Sequence, residues 1–142
     1  MDSVKECLQR TAEMCSREEE QRAENNCQHN MRSKFVLNCQ KDFDKVYRFG
    51  KSQGSKYVVL FYRKNDLGYT RISYLASKKV GNSVKRNRAR RLMREAFRLS
   101  GQTISEGYDL IFIARSSITE TDMRGTMRSE VAALKKARGV LI

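Results

Sequence analysis

The sequence predicts an α+β protein, a small mixed β-sheet packed with three helices in the order α-β-β-β-α-β-α. Three observations carry that prediction. Apolar residues recur at helical spacing in three separate stretches, within 39–50, 83–100 and 123–134. Between and after them lie β-branched and aromatic runs, YVVLFYRK (57–64), YTRISYLA (69–76) and YDLIFIAR (108–115). The chain of 142 residues contains no internal repeat, which fits one domain able to bury its own core. A helix, then successive strands, then helix, strand and helix, rather than a regular βαβ alternation, describe helices laid against a small sheet.

In CQKDFDKVYRFG (39–50), Phe43, Val46 and Tyr47 share one helical face and Gly50 offers a left-handed stop, so a short first helix is expected. The runs 57–64 and 69–76 flank Asn65-Asp66-Leu67-Gly68, a turn cluster, and read as an antiparallel hairpin; Gly50 to Lys56 adds a short edge strand. A long helix follows from about Ser83 to Ser100, closed by the segment Gly101 to Gly107. Leu110 to Ala114 is continuously apolar, as in a buried strand. Thr119 with Asp122 resembles a capping box, and Met123, Met127, Val131 and Leu134 then form one apolar stripe ending before Gly139.

Residues 1–30 differ from the rest. They hold seven acidic and four basic residues, net −3, which leaves 25 basic and 9 acidic residues for 31–142, net +16. Val4, Leu8, Ala12 and Cys15 fall at near-helical spacing, but SREEEQRAENNCQHN beyond them has little to bury. This acidic extension reads either as a short helix running into a disordered arm or as a segment upstream of a natural start at Met31. The basic module is 31–142.

The whole chain carries +13, with 29 Lys plus Arg against 16 Asp plus Glu. Such an excess repels itself and calls for a polyanionic partner. A membrane is the weaker candidate, because the longest apolar run, Tyr108 to Ala114, is far short of the roughly twenty residues a spanning helix needs. No signal-like apolar segment precedes a cleavage site, so a cytoplasmic location is expected. Cys7, Cys15, Cys27 and Cys39 form no close pairs of the zinc-site kind and are expected as free thiols; His29 stands alone and needs no role.

The stretch KKVGNSVKRNRARRLMREAFRL (78–99) contains nine Lys or Arg residues and one acid, Glu95. At about 100° per residue, Ala89, Leu92, Met93, Ala96 and Leu99 fall on one side, and Asn87, Arg90, Arg91, Arg94 and Arg98 on the other. A merely solvated face would intersperse Glu with Lys to gain pairs one turn apart. Arginine also binds phosphate through a planar two-pronged fork, where lysine offers a point charge. Lys78 and Lys79 stand where the helix begins, beside Gly81 and the backbone N–H groups of its first turn, which adds to anion binding.

These residues resemble the signature of the bacterial ribonuclease P protein family: Lys78, Lys79, Gly81, Asn82, Ser83, Val84, Arg86, Asn87, Arg88, Arg90, Arg91, Arg94, Glu95, Ala96 and Phe97. The resemblance spans roughly 31–140, with Ser83 in place of the more usual Ala and no counterpart for 1–30. It implies a fold like domain 2 of ribosomal protein S5, with a left-handed βαβ crossover where about 98% of such units are right-handed. It implies the protein subunit of a ribonucleoprotein endonuclease that removes the 5′ leader of precursor tRNA, in which the RNA, with Mg2+, is the catalyst and the protein is expected to bind no cofactor. From Met31 to Ile142 there is no histidine and the acids form no two-metal cluster, which agrees with that division of labour.

By the same resemblance Lys78, Lys79, Asn82, Arg86, Asn87, Arg88, Arg90, Arg91, Arg94 and Arg98 dock on ribonuclease P RNA in a 1:1 complex. Phe43 and Tyr47 hold the single-stranded leader of precursor tRNA, with Tyr57, Phe61 or Tyr62 contributing from the sheet. The residues alone favour core for Phe43 and Tyr47; the resemblance reverses that. The competing reading is a general or ribosomal-type RNA-binding protein, and a protein-only nuclease is a third.

Overall fold

The computed structural model describes residues 34–142, so the readings of the acidic extension, of Cys7, Cys15 and Cys27 and of His29 lie outside the described residues. The elements are α1 (Gln40–Phe49), β1 (Lys51–Gly54), β2 (Val58–Lys64), β3 (Arg71–Ala76), a helical turn at Lys78–Val80, α2 (Ser83–Ser100), β4 (Tyr108–Ala114), a second turn at Ser116–Glu120, and α3 (Met123–Lys136). The predicted order holds. Cys39 is disulfide-bonded, against the expectation of a free thiol; the spacing rule behind that expectation concerns close pairs and is silent on distant ones.

The strand order is β1-β2-β4-β3. The expected hairpin between 57–64 and 69–76 is therefore corrected: β4 lies between β2 and β3. It runs antiparallel to β2, with Phe112 opposite Leu60, and parallel to β3, with Phe112 opposite Tyr74. The physical reason is visible in β4 itself. Leu110 and Phe112 point one way and Ile111 and Ile113 the other, so both of its faces need cover and the strand takes the centre. The hairpin that does form is β1 with β2, joined by 55–57.

Each face of the sheet has its own core. Val58, Leu60, Tyr62, Leu110, Phe112 and Ala114 meet Ala89 and Met93 of α2 and Ala133 and Leu134 of α3. On the opposite face Ile111 meets Leu37 and Val46, with Phe43, Phe61, Leu75 and Ile113 partly buried beside them.

Helix ends follow local chemistry, with two differences from expectation. The Asn82 side chain accepts the Lys85 N–H at 3.0 Å to start α2, and Gly101 at φ 61° ends it. Gly50 does not adopt a left-handed conformation (φ −83°); glycine is needed because a Cβ would run into the Val46 carbonyl. Asp122, not Thr119, caps α3, accepting the Gly125 N–H at 3.1 Å. The inward face of α3 is Thr126, Ser129, Glu130, Ala133 and Leu134, while Met127 and Val131 are half-buried and Met123 is exposed. Of the expected stripe, Leu134 faces the sheet, while Met127 and Val131 lie beside Leu99 and Ser100 of α2. Leu99, expected on the packed side, is 55% exposed in the last turn of α2.

Candidate RNA interface

On α2 the division of faces is as projected for Ala89, Met93 and Ala96, which are buried. Asn82, Asn87, Arg88, Arg91, Arg94 and Arg98 are exposed, Arg86 and Arg90 half-buried, and Lys78 and Lys79 exposed on the turn that feeds the helix. Only Arg98 has an ionic partner on this helix among the described residues, its Nη2 lying 2.8 Å from Glu95 Oε2. Arg86 instead donates to the Gly81 carbonyl at 3.1 Å and Arg90 to Asn87 Oδ1 at 3.3 Å. Gly81 has φ 129°, a backbone conformation that residues with a side chain rarely adopt, so glycine is what lets the lysine turn pass into the helix. The result is a helix whose outer face is a row of cations at helical spacing.

The five aromatic candidates divide. Tyr47 and Phe61 meet edge to face with centroids 5.2 Å apart, and Phe43 packs beside them on the α1 side of the sheet. Tyr47 is 41% exposed, and partial burial still raises its pKa. Tyr62 points to the other face and is 8% exposed inside the α2/α3 core. Tyr57 precedes β2 and turns to that same side, its N–H donating to Ser129 Oγ at 3.4 Å. The structure thus brings Phe43, Tyr47 and Phe61 together and leaves Tyr57 and Tyr62 out of that group. Period-two alternation within β2 was the signal that separates Phe61 from Tyr62. Two further aromatics were missed: Phe49, 73% exposed at the end of α1, and Phe35, which meets Tyr69 edge to face at 6.1 Å under the Lys34 ammonium.

A buried charge network holds α1 over the sheet. Arg71 bonds Asp109 in a two-pronged pair, both contacts 2.8 Å, and reaches Asp42 of α1 at 2.7 Å; Asn65 donates to the same Asp109 at 2.7 Å. Burial works against the Arg71 charge, and Asp109 and then Asp42 outweigh it, so its pKa is raised. From Phe43 a groove of about 560 Å³ passes Phe35, Leu37 and Tyr74 to Arg94, linking the aromatic group to the arginine helix along the β3 edge.

Among the described residues no group of three or more His, Cys, Asp or Glu is placed to hold a metal ion, and no helix is long and apolar enough to cross a membrane. An arginine rod joined by a groove to an aromatic shelf, on a four-stranded α+β sheet, defines the class of RNA-binding proteins.

The family model described as Ribonuclease P matches residues 31–138. The ribonuclease P protein component of Thermoanaerobacter sp. (strain X514) is 46% identical over 102 residues, 69% of this chain and 88% of that protein. That of Clostridioides difficile (strain 630) is 45% identical over 89 residues, 62% and 78% of the two chains. The RNase P protein structure from Staphylococcus aureus superposes with a TM-score of 0.68 at 28% identity, covering 76% of this chain and 99% of its own. The one from Thermotoga maritima gives 0.63 at 30% identity, covering 71% and 96%. The chain belongs to the ribonuclease P protein family.

Proposed function

We propose that the chain serves ribonuclease P in two places: the outer face of α2 with Lys78 and Lys79 binds ribonuclease P RNA one to one, and the Phe43, Tyr47 and Phe61 shelf holds the 5′ leader of precursor tRNA. The observation that carries this is the α2 face, where the exposed arginines have Glu95 as their one ionic partner among the described residues. An A-form major groove is too narrow for side chains to read, so fixed cations gripping phosphates and shape are what a folded RNA offers a purchase for. Aromatic faces suit a single strand, because any base can stack on them.

The chemistry is assigned to the RNA, and the Mg2+ with it. Asp42 of α1 and Asp109 of β4 are both engaged by Arg71 and so are poorly placed to hold a metal ion. The work of the protein is then done in the cytoplasm, binding RNA subunit and substrate together.

Reconstitution tests this: adding the protein to a bacterial ribonuclease P RNA and a precursor tRNA at low Mg2+ is expected to raise cleavage at the mature 5′ end. Unchanged cleavage would leave a general RNA-binding protein, and cleavage without the RNA subunit would make the protein itself the nuclease. Replacing Arg90 and Arg94 by Gln should weaken assembly and flatten its dependence on salt by about 0.7–0.9 per lost phosphate contact. An unchanged slope would take those two residues off the RNA.

A further inference from the structure

Beyond the shelf, the groove along the β3 edge meets a second pair of aromatic rings that the proposed function leaves unused. Phe35 and Tyr69 stand edge to face at 6.1 Å, and the Lys34 ammonium lies 5.1 Å from the Phe35 ring centre and 5.8 Å from that of Tyr69. Phe35 is 52% exposed, Tyr69 half-buried and Lys34 exposed. Their backbone is fixed to the sheet. The Ile72 N–H donates to the Phe35 carbonyl at 2.8 Å, the Leu37 N–H to the Ile72 carbonyl at 3.3 Å, and Asn65 Nδ2 to the Tyr69 carbonyl at 3.2 Å. A ring pair held by its backbone and exposed at its faces loses little freedom when a planar ligand settles on it.

The place of this pair follows from the strand ladder. Phe61 is opposite Ile111, Ser73 is opposite that same Ile111, and Val36 bridges Ile72 on the outer side of β3. The segment 35–37 is thus the third neighbour of β2, about 14 Å from Phe61 at about 4.8 Å per strand. Leu37 is buried on the α1 side, and Phe35 lines the same groove as Phe43. A stacked strand advances about 3.4 Å per nucleotide, so about four nucleotides join the two sites. The lysine points to a ligand with both a flat face and a negative charge. An exposed cation over a ring is weakly held, so a base can take the ring while the ammonium turns to its phosphate.

We propose that Phe35, Tyr69 and Lys34 form a second nucleotide site, which stacks a base of the leader and pairs with its phosphate, so that the leader is gripped at two points along one groove. This rests on the reading that the Phe43, Tyr47 and Phe61 shelf holds the leader. A strand bound at two points gains from their linkage, so leaders long enough to span both sites are favoured over shorter ones with no base being read.

The test uses holoenzyme assembled from the full chain and a bacterial ribonuclease P RNA. Affinity is measured for precursor tRNAs whose uridine leader is lengthened one nucleotide at a time, up to about twelve. It is expected to rise in two steps, no more than about four nucleotides apart, as the two aromatic sites fill in turn. Phe35→Leu/Tyr69→Leu should erase one step, a loss of about fivefold to thirtyfold for long leaders, and leave mature tRNA binding unchanged. Phe35→Tyr/Tyr69→Phe should keep both steps. Leucine preserves apolar bulk but offers no face for a base, so a merely structural role would survive in the leucine variant. Two steps persisting in that variant, or an equal loss for mature tRNA, would overturn the second site. If the leucine variant erases a step while Tyr47→Ala erases none, the shelf reading fails and the Phe35 site stands. A parent profile that does not change with leader length would overturn both.

Discussion

On one face of the sheet α2 and α3 together bury Val58, Leu60, Leu110 and Phe112 completely, whereas on the other the ten-residue α1 leaves Phe43 and Phe61 half-buried and Tyr47 and Phe49 exposed. A face sealed by two helices excludes water and supplies most of the apolar burial that stabilises the domain. A face under one short helix keeps aromatic surface where a ligand can reach it. The cost of the open arrangement is a helix with little to hold it, since Val46 is the only buried residue of α1. The Asp42–Arg71–Asp109 network takes the place of packing there. One face is thus organised by exclusion of water and the other by directed charge.

The largest expected effect tests how dry the sealed face is. Glu130 of α3 is fully buried, neither carboxyl oxygen has a hydrogen-bond partner, and burial pushes its pKa up to about 9. Below the ordinary value of 4.5 both folded and unfolded chains hold the proton. Between there and about 9 the unfolded chain releases it while the fold retains it, so stability falls as pH rises and levels off above that window. From pH 5 to pH 8 this amounts to about 4 kcal/mol at about 1.4 kcal/mol per pH unit. Glu130→Gln should remove that slope, and urea midpoints of the two proteins at both pH values read it directly. Parallel profiles would mean that water reaches the carboxyl and that the face is not sealed.

Next in size is the charge network of the open face. Arg71→Ala leaves Asp109, whose side chain is 3% exposed, buried without its cation, and should destabilise the fold by about 3 kcal/mol. Arg71 itself is 15% exposed, which places the loss at the lower end for a broken buried pair. Urea unfolding measures it. A loss under about 1 kcal/mol would show that α1 is held by packing after all, since a screened surface pair is worth no more than that.

This contrast also explains what could be read from the sequence. The approximate bounds of α2 were legible because Gly101 and the apolar spacing act within one turn of the chain. The place of β4 between β2 and β3 was not, because it is decided by contacts among strands far apart in sequence; the apolar residues at every position from Leu110 to Ala114 were the one local hint. The inward face of α3 was hidden by its composition, since Thr126, Ser129 and Glu130 carry no apolar signal. For the candidate site, the cation row was legible and the aromatic shelf only in part. Phe43, Tyr47 and Phe61 were named together with Tyr57 and Tyr62, and only the pleat and the end of β2 separate them.

The smallest effect is the one that bears most directly on the open face. Tyr47 is 41% exposed and touches Phe61 through ring edges, so truncating it removes a stacking surface without opening a sealed cavity. Tyr47→Ala should therefore leave stability within about 1 kcal/mol, while affinity for a precursor tRNA with a single-stranded leader drops by about 1–2 kcal/mol, within the range for one aromatic-base stack. Mature tRNA, which has no leader, should bind the reconstituted holoenzyme as before. The comparison of the two tRNAs isolates the shelf from the arginine helix, because loss at α2 weakens both alike. If both tRNAs lose affinity equally, Tyr47 acts by positioning α1 and the open face is a support for the RNA subunit; if stability falls by about 3 kcal/mol or more, the face is a core in its own right.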